Sequence, residues 1–63
     1  MINIAKVKNY IADTFAITNT LKSVLESKPN RDSFDNGQIF ALTAELLMLE
    51  NLWKMLEDGE ENG

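Results

Sequence analysis

Between Phe34 and Leu56 the apolar residues Ile39, Leu42, Leu46, Leu49, Trp53 and Leu56 return at alternating three- and four-residue steps. That spacing puts six side chains on one stripe of an α-helix and matches the seam of packed helices. Ala41, Met48, Leu52 and Met55 fall beside the stripe and widen the apolar sector to roughly 200°, more than one core-facing stripe requires. A second surface of this helix is therefore expected to be covered. Phe40 and Leu47 sit on the remaining side among Thr43, Glu50 and Lys54, where they make either a third contact or an exposed patch. Asp35 reads as the N-cap, with Gln38 reaching back to it and Phe34 stapled to Ile39, so the helix is predicted to begin near Asn36. Gly59 follows the last leucine of the pattern and reads as the left-handed residue that closes the helix.

The first half of the chain carries the same period. Asn3 reads as a cap with Ile2 and Val7 in staple positions, and a stripe then runs through Ile4, Val7, Ile11, Leu21 and Leu25. Tyr10, Ile17 and Val24 flank it on one side and Phe15 on the other, an apolar half about 180° wide. Several of these residues are β-branched, but the spacing is helical and the run is too long for one strand. Pro29 disfavours helical geometry at Lys28, which ends the helix near Ser27. The segment KPNRDSFD is polar and reads as a loop of about seven residues. Asn36-Gly37 has no alternating strand on either side and is not read as a hairpin turn. Two helices of about 33 to 36 Å follow, matched in length. The expected fold is all-α: an antiparallel two-helix hairpin, with helices about 4–27 and 36–58. Residues 1–58 make a single domain, and 59–63 a flexible acidic tail.

Size turns the hairpin into an assembly question. A chain of 63 residues buries too little surface to be comfortably stable alone. It has no cysteine for a disulfide and no histidine for a zinc site, so self-association is the remaining way to add a core. The expectation is a four-helix-bundle dimer or a higher oligomer, with Leu42, Leu46, Leu49, Leu52, Trp53 and Leu56 as its interface. No apolar run approaches the roughly 20 residues of a membrane span, and MINIAKVKNY lacks the continuous apolar core of a secretory signal. An intracellular, cytoplasmic protein with no membrane partner is the expectation. Charge supports the antiparallel layout: through Arg31 there are five basic and two acidic residues, and from Asp32 onward one basic and eight acidic. Folding back sets Lys6 and Lys8 near Glu57 and Asp58, each otherwise misplaced against its own helix dipole.

Little in the chain suggests reaction chemistry. Without histidine the commonest general base is missing, and a phosphate loop, a nucleophile elbow and a metal pattern are missing too. No catalytic residue, metal ligand or cofactor is expected. Thr14 and Thr18 fall on the apolar stripe of the first helix and Glu45 inside the apolar sector of the second. With the loop centred near Asp32, Glu45 comes level with Thr18 and Asn19. Two arrangements fit: a buried polar layer that sets register or oligomer state, or hydroxyls bonded one turn back with Glu45 reaching solvent along a rim. Trp53 on the seam reads as core, whereas Phe40 and Leu47, off that seam, are the candidates for binding a partner protein. Regulator, inhibitor or assembly factor is the expected role, of a kind that phages and plasmids often encode. The alternative is RNA or small-nucleotide binding through Lys6, Lys8, Lys22, Lys28 and Arg31, although the net charge of -4 opposes it.

In length, two-helix layout and acidic glycine-containing tail, the chain resembles the small plasmid copy-number proteins. That resemblance spans the whole chain as layout and implies an antiparallel four-helix dimer that binds paired RNA loops. It transfers no site residue: those proteins place polar and basic residues about an aromatic on the outer face of helix one, and here Phe15 has Ile11 and Asn19 at four-residue spacing. Through Pro29, the triplet Ala41-Leu42-Thr43 and Trp53 the chain is also similar to the helical-hairpin domains of phage-encoded cyclic-nucleotide sponges. That likeness implies an anionic ligand near Lys22, Lys28 and Arg31.

Overall fold

A computed structural model describes residues 3–62 of the protein, with side chains described through Gly59. Two helices make it up, α1 (Ile4–Glu26) and α2 (Ser33–Asn62), packed side by side in a rod of 48 × 15 × 15 Å. The all-α hairpin expected from the apolar period is therefore the observed fold. Asn3 caps α1 as anticipated, its side chain accepting a 3.2 Å hydrogen bond from the Lys6 backbone N–H. The staple expected from Ile2 lies outside the described residues. At the other end Ser27 remains in right-handed geometry, its N–H bonded to Ser23 O at 3.0 Å, and Pro29 lies two residues beyond.

Helix α2 differs from its expected bounds at both ends. It begins at Ser33, so that Phe34 lies inside it, exposed, rather than stapled ahead of it. Asp32 is the residue that caps. Its Oδ1 accepts from the Asp35 N–H at 2.8 Å while Asp35 Oδ2 accepts from the Asp32 N–H at 3.3 Å, a reciprocal pair with the spacing of a capping box. Asp35-x-x-Gln38 has the same spacing, but Asp32-x-x-Asp35 also gains the Lys28 ammonium, which donates to both oxygens of Asp35 at 3.1 and 3.0 Å. Charge-assisted bonds are stronger than the neutral ones Gln38 would supply, and the earlier start wins. At the far end α2 continues through Gly59 to Asn62 with no positive-φ glycine among the described residues, so Gly59 is an interior helical residue and not a stop. Helix α1 has 23 residues and α2 has 30, so the lengths do not match and α2 overhangs the start of α1.

The earlier start also moves the register. The connection is 27–32, centred near Asn30 instead of Asp32, which slides the partners by about one helical turn. Lys8 lies over the Trp53 ring at 4.5 Å from its centroid. From there the seam steps by threes and fours along both helices. On α1 it uses Lys8, Ile11, Phe15, Thr18, Lys22 and Leu25, and on α2 Asp35, Ile39, Leu42, Leu46, Leu49, Trp53 and Leu56, all buried or half-buried. The α2 stripe is the one read from sequence. The α1 seam is rotated toward Phe15, and Leu21, expected on it, is left outside.

Candidate functional site

Only two apolar side chains are buried among the described residues, Ile11 at 5% and Leu46 at 9% exposure. Two helices meet along a single line, and most residues on that line are only half-buried. The seam already occupies five of the six positions expected at an interface between copies: Leu42, Leu46, Leu49, Trp53 and Leu56 pack within the hairpin. Leu52 alone of the six lies outside it, 46% exposed.

Leu52 belongs to a second stripe. On α2, Ala41, Glu45, Met48, Leu52 and Met55 repeat at three- and four-residue steps beside the seam, and on α1 Tyr10, Thr14, Ile17, Leu21 and Val24 do the same. The two stripes face one way. Thr14 shares a shallow hollow with Glu45, Met48 and Leu52, and Leu21 and Val24 share another with Gln38 and Ala41. Together they form one continuous apolar face along the rod, with Tyr10, Ile17, Leu21, Val24, Met48, Leu52 and Met55 all exposed on it. This face combines the flanking residues read from sequence on each helix, which pattern alone did not show to be adjacent.

The expected polar layer is divided. Thr18 is buried in the seam, Thr14 is half-buried at the edge of the open face, and Glu45 is exposed on that face. Among the described residues no hydrogen bond joins Glu45 to Thr18 or Asn19; the shifted register sets Glu45 beside Thr14 instead. Phe40 (78% exposed) and Leu47 (57% exposed) stand a short way apart on the flank of α2 away from this face. They form a separate, smaller apolar patch.

The five basic candidates do not converge. Lys8 covers Trp53, and Lys28 is bound to Asp35. Lys22 is half-buried at a seam position, and Lys6 and Arg31 are exposed. Lys6 and Lys8 are two residues apart on a helix and so point to opposite flanks. Asp35, the N-cap expected from sequence, is buried at the mouth of the loop and is the third helical residue of the cap that Asp32 begins, with Lys28 bound to it. Lys28 beside it, and then the Asp32 N–H, hold its carboxyl below the ordinary value of 3.8, against the opposing effect of burial. Two missed seam residues, Lys8 and Lys22, had a signal in the sequence: the unbroken three-four spacing from Ile4 to Leu25 passes through both.

No described helix is long and apolar enough to cross a membrane. Comparison of the chain with protein-family models, with curated proteins and with solved structures finds no match. The two layout likenesses thus gain nothing from relatives.

Proposed function

We propose that this is a non-catalytic binding protein that works as an assembly of helical hairpins, with another protein as its target. One observation carries the reading: the hairpin has two separate apolar surfaces, and a single copy covers neither. The larger face suits self-association. The smaller patch of Phe40 and Leu47 suits a target, since a few exposed large side chains commonly supply most of an interface's binding energy. A structured-RNA partner fits less well, because Lys8 and Lys28 are already engaged inside the hairpin. The test is affinity capture from the source cells with the wild-type protein and with Phe40→Asp. The expected result is a protein retained by the wild type and lost with Phe40→Asp, at unchanged oligomer mass. Identical capture by both, or salt-sensitive retention of nucleic acid in its place, overturns the reading.

A further inference from the structure

We infer that the open face of the hairpin is covered by a second copy of this chain, with Glu45 at the centre of the contact as the residue that limits its strength. The inference rests on the assembly proposed above and assigns the surface that makes it. The first argument is area. The chain exposes 5008 Å². A compact monomer of 7.1 kDa exposes roughly 4,100 Å², and the excess of about 900 Å² is close to the 800 Å² or so that each partner hides in a standard interface. The second is periodicity: each helix of a four-helix bundle touches two neighbours, and each helix here carries two adjacent seams, one used within the hairpin and one open.

The third argument is shape. On the open face α1 presents Tyr10, Leu21 and the stiff, β-branched Ile17 and Val24, whereas α2 presents Leu52 and the flexible methionines Met48 and Met55. In a second copy the adaptable methionines can fit against the stiffer side chains of α1. Symmetry then fixes the place of Glu45. When a face pairs with itself, the two-fold axis lies in the plane of the face, so residues midway along it meet residues midway along the copy. Glu45, level with Thr14, is midway along the hairpin and is the one charged residue of the stripe. Its carboxylate loses water on association, gains no cation from the face and stands near its own copy, which weakens the dimer.

Sedimentation equilibrium between 1 and 200 µM, together with isotope-filtered nuclear Overhauser spectra on mixed labelled and unlabelled chains, tests the assignment. Wild-type dimers are expected, with Glu45→Leu tightening the dissociation constant at least tenfold, Phe40→Asp leaving it unchanged, and intermolecular signals at the Met48 and Met55 methyls. A dimer whose intermolecular signals fall on Phe40 and Leu47, or whose affinity is unchanged by Glu45→Leu, overturns the face while leaving the assembly standing. A folded monomer throughout that range overturns both.

Discussion

Asp35 links the loop to both helices: it closes the cap on α2 with Asp32 and holds the Lys28 ammonium at the end of α1. Its carboxylate form is favoured in the folded protein, since its pKa there lies below the ordinary 3.8. The sign follows directly. Above 3.8 the carboxylate is ionised in both states and its stabilisation is fully present; as pH falls through the lower folded value, the proton removes it. Thermal unfolding followed by circular dichroism is thus expected to show the midpoint dropping as pH is lowered from 4 toward 2. Asp35→Asn should be less stable than wild type at pH 7 and lose less on acidification. An equal acid sensitivity in both proteins would place the effect elsewhere in the chain. The sequence signal for this residue was its cap chemistry, and the choice between two caps of identical spacing depended on where Lys28 reaches, a tertiary fact.

At the level of the helices, the apolar period of α2 was legible because its seam is almost wholly Ile, Leu and Trp. In α1 the same period is interrupted by Lys8, Thr18 and Lys22, so the apolar pattern passes through Leu21 instead of Lys22, one residue off the true stripe. What decides the true orientation is contact with α2, through the Lys8 ammonium and Phe15 near Trp53, which a single-helix pattern does not contain. The end of α2 makes a sharper test. Were Gly59 the left-handed stop suggested by its position, an added Cβ would strain it. In the structure its φ is helical and an added Cβ meets nothing within 4 Å, and the same holds for Gly37. Gly59→Ala and Gly37→Ala are each expected to stabilise the protein by about 0.5 to 1 kcal/mol and to raise the helical signal at 222 nm. A loss of stability in Gly59→Ala would restore the shorter helix.

For the whole molecule, shape and stability are one problem. The radius of gyration is 14.7 Å, against about 10.6 Å for a compact chain of this length, because two helices laid side by side have no second layer to close over their seam. A line of half-buried leucines with two buried apolar residues is a poor match for the ordering entropy of both helices. In the proposed dimer, pairing two hairpins through the open face would lay a second layer over that line, and folding and association would become a single equilibrium. Stability then depends on concentration. For a two-chain assembly of this size each tenfold increase in protein is worth about 1.4 kcal/mol, which moves the unfolding midpoint by roughly 5 °C. Between 1 and 100 µM the midpoint is therefore expected to rise by about 10 °C, with Glu45→Leu shifting the whole series upward and Met48→Glu shifting it downward. A midpoint that stays fixed across that range would mean that one hairpin, with its face open to water, is the stable unit.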